Sequence, residues 1–341
     1  MKAVAVAAAG ALGVWLWWRR RGGAATAGTD AGGGIRAREL APGVLVDTAR
    51  PARARLERPG HVVVVGSGIV GVAIAAELAR RGTRVTVLDQ ESAPAMCATR
   101  CSWAWINANS KQPRHYQELN HLAMRVWEAM LPGFVTWCGA LLLGGAPPQE
   151  SPAYQGAALD TVAEILGLEP SLAADYFEAR PGPAVHFAQE GLTDPQLAVA
   201  HLVRLAEERG ATFVYGASVR GYPWEMEGDV AGVTFTRGGA TEEVRADVVV
   251  LANGTGVSKL ARAAGVRIPL LHKPGVLTWL QPGASEPVRL NKIIVAKDLH
   301  FLQRPDGLIA VGESKETGGT NSQKKSVESD FSWQICKDTD L

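Results

Sequence analysis

The stretch His61-Val-Val-Val-Val-Gly66-Ser-Gly68-Ile-Val-Gly71 constrains this chain more than any other. Val62 to Val65 is an unbroken β-branched run, the pattern of a parallel strand buried on both faces. Glycines follow at once in the spacing G-x-G-x-x-G. Ile69 to Arg81 then reads as a helix that Gly82 stops, and Arg84 to Leu88 as a second strand with Asp89 at its end. In that context each residue has a mechanical reason. Gly66 permits a tight turn, Gly68 lets a pyrophosphate approach the backbone, and Gly71 lets helix and strand pack closely. The helix start offers N–H donors and a positive dipole end to phosphate oxygens. A carboxylate about 20 residues on accepts hydrogen bonds from ribose hydroxyls and disfavours a 2′-phosphate. The sequence therefore predicts a dinucleotide site, and Asp89 argues against NADP.

At 341 residues the chain has room for two domains or one large α/β unit. Hydrophobic residues at 47% and charged residues at 20% suit a globular protein, and a net charge of +1 gives no reason to expect nucleic acid. The four cysteines, Cys97, Cys101, Cys138 and Cys336, are too few for a disulfide scaffold. Cys97 and Cys101 are spaced C-x-x-x-C without a second pair or a histidine in ligand spacing, so no metal site is expected.

Residues 1–21 form an apolar N-terminal segment: Ala3 to Trp18 carries no charge, and Arg19-Arg20-Arg21 follows. As a helix its sixteen residues span about 24 Å, short of a hydrocarbon core of about 30 Å. The tryptophans suit the headgroup level and the arginines the cytoplasmic side, which reads as a short membrane anchor. The acid-poor, Ala-rich character equally suits a transit peptide to a mitochondrion or plastid. Neither reading is forced. Residues 22–58, rich in Gly, Pro and Arg, read as a disordered linker.

Further along, His115 to Met130 is amphipathic, with Leu119, Leu122, Ala123, Val126 and Met130 on one stripe. Phe134 to Leu143 reads as strands around Gly139, Leu159 to Leu166 as a short helix, and Pro195 to Arg209 as a longer one. Ala211–Val219, Val230–Thr236 and Glu243–Leu251 are strand signals. Within the last, Asp247-Val-Val-Val-Leu-Ala252-Asn-Gly254 repeats the theme of an apolar run ending in small residues, which suits a second approach to a nucleotide. Val276–Leu280, Ile293–Val295, Leu299–Gln303 and Leu308–Val311 are further strands, with a Pro305-Asp306-Gly307 turn between the last two. These β-rich segments predict a separate antiparallel sheet that covers the cofactor.

The order V-x-G-x-G-I-V-G-x-x-x-A-x-x-L-A-R-R-G-x-x-V-x-V-L-D resembles the start of the D-amino acid oxidase-like flavoproteins, the superfamily of glycine oxidase, sarcosine oxidase and D-amino acid dehydrogenase. Ser102-Trp-Ala-Trp-Ile-Asn-Ala-Asn109, Trp137-Cys-Gly-Ala-Leu141 and Leu168-Glu-Pro-Ser-Leu172 follow in that family's order. So do the helix at 196–209, Val248 to Gly254, and Arg304-Pro-Asp-Gly307 with Val311-Gly-Glu313. The resemblance covers roughly residues 60–318. It implies an α/β protein with a Rossmann-type FAD-binding domain and an inserted antiparallel β-sheet substrate domain, incomplete at the C-terminus. The oxidoreductase region would be 59–319, with FAD-binding parts at about 59–131 and 190–268, substrate parts at about 132–189 and 269–319, and a polar tail at 320–341.

Carried over by residue, the resemblance places Gly66, Ser67, Gly68, Ile69, Val70 and Gly71 on the pyrophosphate, and Asp89 and Gln90 on the adenosine ribose. Val219 would meet the adenine through its backbone. Ala252, Asn253 and Gly254 would approach the nucleotide again, and Thr99 and Ser102 would lie on the flavin side. Cys97 and His115 are the only residues offered for covalent attachment, and non-covalent FAD is expected. The implied reaction removes a hydride from the carbon next to an amine of an amino acid or small amine, the flavin doing the chemistry. Arg304 is the candidate for a substrate carboxylate, whose geometry its fork matches. Trp103 and Trp105 are candidates for the pocket wall, and His272 and Lys273 for tuning the flavin. The family's closing G-H-x-x-G-type motif is absent after Gly319, so the chain reads as truncated. Two alternatives stay open: an inactive, non-catalytic flavoprotein, and an NAD-linked dehydrogenase. Oligomeric state is not addressed by the sequence.

Overall fold

Both faces of the Val62–Val65 run are covered in the computed structural model of the chain, which describes residues 3–8, 13–16, 59–144, 154–179, 182–223, 230–270, 277–283, 288–296 and 299–313. The chain runs through β1 (Ala3–Ala8), β2 (Gly13–Leu16), β3 (His61–Val65), α1 (Ile69–Arg80) and β4 (Arg84–Leu88). Next come β5 (Trp105–Ile106), α2 (Arg114–Met130), β6 (Val135–Thr136), β7 (Ala140–Leu143) and β8 (Ala157–Leu159). Two short helices, α3 (Val162–Leu168) and α4 (Ala174–Ala179), precede β9 (Ala184–Phe187) and β10 (Gly191–Thr193). Helix α5 (Pro195–Glu207) leads to β11 (Thr212–Val214), β12 (Ser218–Gly221), β13 (Gly232–Arg237), β14 (Ala240–Arg245) and β15 (Val248–Leu251). After α6 (Val257–Ala263) come β16 (Leu277–Leu280), β17 (Ile293–Val295), β18 (Leu299–Gln303) and β19 (Ile309–Glu313).

The first sheet has the order β11-β4-β3-β15-β1-β2, parallel throughout except for the antiparallel β1–β2 pair. Alternation sorts its side chains. Val62, Val64, Val85 and Val87 enter one core with Val72, Ala75, Ala76 and Ala79 of α1 and Ala198, Val199 and Leu202 of α5. Val63, Val65 and Leu88 enter the other, beneath the β12-β13-β14 meander and α6. Two covered faces explain the unbroken apolar runs. The alanines of α1 let that helix lie close to the sheet. Helix α5 starts cleanly because Pro195 sits in its first turn and Asp194 Oδ1 accepts from Gln196 N at 2.8 Å and Leu197 N at 3.1 Å.

The second large sheet has the order β16-β19-β18-β17-β7-β9-β8, antiparallel except for the β17–β7 pair. Ile165 of α3 and Phe177 of α4 pack on one face with Leu141, Leu143 and Ile294. The other face carries Ile293, Leu302 and Ala310, against which Trp103 and Trp105 pack. A small antiparallel sheet, β5-β10-β6, holds the tryptophan segment to the start of α5.

Several expectations need correction. Ala3–Ala8 and Gly13–Leu16 are strands, not parts of a helical span; β1 pairs in parallel with β15, whose edge backbone groups need a partner. Among the described residues no helix is long and apolar enough to cross a membrane. The linker at 22–58, His272, Lys273 and the tail at 320–341 lie outside the described residues. The strand expected at 211–219 divides at Gly216, and that at 243–251 divides before Val248, each half joining a different sheet. Helix α2 forms as expected but turns another face inward. Gln117 and Met124 are buried, whereas Leu122 is 49% and Val126 37% exposed. Met124 wins because it meets Ala108, Tyr154 and Phe187.

Leu202 is 1% exposed between α5 and the first sheet. Leu202→Ala should lower unfolding free energy by about 2–5 kcal/mol in urea titration. A loss under about 1 kcal/mol would show that the α1–α5 layer does not pack as described.

Candidate functional site

The registers of β3, β4 and β15 bring three strand ends level, with Val65 paired to Leu88 on one side and Leu251 on the other. Gly66 N donates to Leu88 O and Ala252 N to Val65 O, each at 2.8 Å. Gly66 turns the chain at φ 104°, and a Cβ there would lie 2.5 Å from the Ala252 carbonyl oxygen. A Cβ on Gly71 would run into the Gly66 carbonyl oxygen. Gly68 is the N-cap of α1 and has no side chain to cap it, and the first turn holds no acid. Ile69 N donates to Thr99 Oγ1 at 3.1 Å, so Thr99 borders the helix start, and Val70 is half-buried beside it.

Asp89 closes the cradle from the end of β4. Its Oδ2 accepts from Ser67 N and Ser67 Oγ, both at 2.6 Å, and its Oδ1 from Glu91 N at 2.9 Å. Asp89 N donates to Val214 O at 3.0 Å and Asp89 O accepts from Ala217 N at 2.7 Å, which fixes the strand end. Asn253 follows Ala252, and its Oδ1 is buried with no hydrogen-bond partner among the described residues. Gly254 opens the short 3-10 turn that leads into α6. Val219 on β12 packs in the core shared by Val65, Leu88 and Leu251. Gln90 is exposed and turns to Glu91, its Nε2 donating to Oε1 at 3.1 Å. Ser102 Oγ accepts from Ala104 N within its own loop. Cys97 and His115 are exposed, and burial with the nearby Glu91 and Asp89 carboxylates pushes the Cys97 thiol up.

On the second sheet, Arg304 lies just beyond β18. Its Nη2 donates to Asp194 Oδ2 at 2.7 Å and lies 3.1 Å from Asp306 Oδ2. The guanidinium stacks over Trp279 at 5.2 Å, and its Nε is buried with no hydrogen-bond partner among the described residues. Trp103 and Trp105 flank His300, with ring centroids at 6.0 and 5.9 Å. A Cβ on Gly312 would collide with Trp103, so β19 meets that indole through bare backbone.

One residue without any sequence signal dominates this region. Glu190 is fully buried and accepts from Trp105 Nε1 at 3.0 Å, from the Tyr154 hydroxyl, and from Asn109 Nδ2 at 2.7 and 2.9 Å. Burial pushes its carboxyl up to about 7, against the opposing pull of Tyr154, Asn109 and Trp105. Burial lowers the neighbouring Lys111, which Glu190 partly counters. Burial and Lys111 together lower His300. Glu190 sits in a turn between β9 and β10, where no periodicity marks a lone acid as buried.

The sequence from residue 61 to residue 338 matches the family described as FAD dependent oxidoreductase. The chain belongs to this DAO family of flavoenzymes. It is 27% identical over 279 residues to glycine oxidase of Pseudomonas aeruginosa, covering 76% of this chain and 72% of that one. It is 29% identical over 302 residues to the bifunctional tRNA 5-methylaminomethyl-2-thiouridine biosynthesis protein of Ralstonia nicotianae, covering 82% of this chain and spanning 44% of that relative. The fold is similar to that of L-proline dehydrogenase from P. horikoshii, with a TM-score of 0.62 and 21% identity, covering 78% of this chain and 72% of the other.

The residues present fit FAD, the cofactor of the DAO family. Side chains are excluded at Gly66 and Gly71, the N-cap Gly68 puts no side chain over the α1 start, and the buried Asn253 Oδ1 has no hydrogen-bond partner among the described residues. Glu190 gives this DAO-family chain a measurable pH response. Its carboxyl titrates near 7 when folded and at 4.5 in the ordinary state, so between these values the folded chain holds the extra proton. Stability should therefore fall as pH rises from 4.5 to about 7 and level off above it, by about 3 kcal/mol from this group. Urea titrations across that range should show the slope, and Glu190→Gln should flatten it. An unchanged slope in the variant would place the titration elsewhere.

Proposed function

We propose that this FAD-dependent oxidoreductase oxidises an amino acid or small amine at the carbon bearing nitrogen. The observation that carries the reading is Arg304. Its guanidinium is held on the second sheet by Asp194, Asp306 and Trp279, and among the described residues its buried Nε has no hydrogen-bond partner. A substrate carboxylate is the group that would satisfy that donor. Similarity to proteins named glycine oxidase and L-proline dehydrogenase supports the same substrate class.

On this reading Gly66 to Gly71 hold the pyrophosphate of FAD, Asp89 the ribose, and Ala252 to Gly254 the second approach to the nucleotide. When bound, FAD supplies the two-electron acceptor. The chain's own residues bind, orient and exclude water: Arg304 fixes the carboxylate end of the substrate, and Trp103, Trp105 and Trp279 form an apolar wall. The Arg304–Asp194 ion pair supports a second reading in which Arg304 only ties α5 to the second sheet.

Reconstituted protein should show a flavin absorbance spectrum, and amino acids should bleach it anaerobically. Asp89→Ala should weaken FAD binding about tenfold or more in a fluorescence titration, because a charged acceptor is lost. Arg304→Ala should raise KM for carboxylate substrates about tenfold or more and leave simple amines unaffected. Unchanged KM together with reduced thermal stability would favour the tie over the substrate contact.

A further inference from the structure

Glu190 joins segments that are far apart in the chain. Its donors are Trp105 and Asn109 from the loop after the nucleotide cradle and Tyr154 from the approach to β8. Asn109 Nδ2 reaches both carboxylate oxygens, at 2.7 and 2.9 Å, and Asn109 N lies 3.4 Å from Oε1. The Tyr154 hydroxyl is itself 3.2 Å from Ala108 N. An apolar side chain could fill this volume without the penalty of burying a carboxylate. What the acid adds is direction, since each oxygen accepts best near the carboxylate plane and along the lines of its lone pairs. Those lines end on Trp105, which packs edge-on to His300 of β18, and His300 in turn meets Trp103.

We propose that Glu190 is a positioning residue, whose carboxylate sets the wall formed by Trp103, Trp105 and His300 where the cradle loop meets the second sheet. The claim that this wall faces the substrate rests on the function proposed above; the network itself does not.

The groups around Glu190 are named by the structure. Lys111, two residues after Asn109, feels the charge of Glu190, and the Tyr154 hydroxyl donates to its carboxylate. Cys138 before β7 feels both Glu190 and Lys292. His300 on β18 is reached through Lys111, and His121 of α2 lies behind Tyr154 at a ring distance of 5.1 Å. Deprotonation of Glu190 strengthens the bonds to Trp105, Asn109 and Tyr154 together, because an ionised acceptor binds donors more tightly. Above the transition the wall is pinned; below it the hold loosens.

The test uses the full chain with ¹⁵N-labelled tryptophan, and the Trp105 indole N–H signal is identified by its loss in Trp105→Phe. In the native chain that signal should move with pH about a midpoint near 7. Glu190→Gln should abolish the movement. Tyr154→Phe removes a donor that favours the ionised acid, so the midpoint should rise. A Trp105 signal that titrates unchanged in Glu190→Gln, or a midpoint unmoved or lowered in Tyr154→Phe, overturns the proposal. The second variant keeps the test decisive should the first fail to fold. Kinetics complete it: Glu190→Gln should raise KM for the amine substrate several-fold with flavin absorbance intact. Altered indole titration with unchanged KM would overturn the positioning role toward substrate. A chain that oxidises no amine refutes the function instead and leaves the indole result standing.

Discussion

Everything in the candidate site depends on the level ends of β3, β4 and β15. Parallel pairing in register places Val65, Leu88 and Leu251 side by side, so the residues that follow each strand arrive at one place. Gly66 can turn there only because it lacks a Cβ, and its neighbour across the gap is the Ala252 carbonyl. Shifting β15 by one residue would move its apolar side chains to the wrong faces and separate Ala252 from Gly66. The two cores on either face of the sheet resist that slip, since Val63 and Val65 belong to one and Val62 and Val64 to the other. Burial of valines thus fixes the geometry of a polar site.

This part of the structure was legible in the sequence because its signals are local. Strand, glycines, helix and acid follow one another within about 30 residues, in the arrangement a βαβ nucleotide unit demands. Other parts depend on contacts the sequence does not display. The run from Glu243 to Leu251 looks like one strand, yet it serves two sheets. The break falls at Ala246 and Asp247, where Asp247 Oδ2 accepts from His61 N at 2.9 Å and pins β15 to the start of β3. Helix α2 has an apolar stripe that ordinary reading turns inward. The helix instead rotates to seat Met124 on Tyr154 and Phe187, which lie far along the chain. The apolar start of the chain has the composition of a span, but Ala3–Ala8 pairs with the open edge of β15. Glu190 carried no signal at all, because its donors lie 36, 81 and 85 positions away and meet it only through the fold.

Three acids at the heart of the molecule show how differently burial is resolved. Asp89 spends both oxygens on donors within its own unit, Ser67 and Glu91 N, so its place follows from the βαβ turn. Glu169 is fully buried and accepts from Asn291 N at 2.6 Å and Lys292 N at 2.8 Å, which ties the end of α3 to the start of β17. Its Oε1 also accepts from the Ser171 hydroxyl two residues on, so its long-range bonds fix only backbone and are architectural. Glu190 gathers three side chains from distant segments, and side chains can be reoriented when the acceptor changes its charge. The distinction separates an acid that holds the fold from one that sets the shape of a wall.

Arg304 poses the remaining question, because a guanidinium already paired with carboxylates is an unusual choice for meeting another. The geometry answers it. Asp194 uses Oδ1 to cap α5 and Oδ2 to hold Arg304 Nη2, so the helix that packs on α1 also sets the arginine on the second sheet. Both side chains are largely buried, at 16% and 19% exposure, which limits screening by solvent. The guanidinium is planar and rigid, so fixing Nη2 and stacking the plane over Trp279 also fixes the direction of Nε. On the proposed reading, Asp194 therefore does not compete with the substrate. It orients the fork in advance, so that a carboxylate meeting Nε finds a donor already aimed and the binding step loses less entropy.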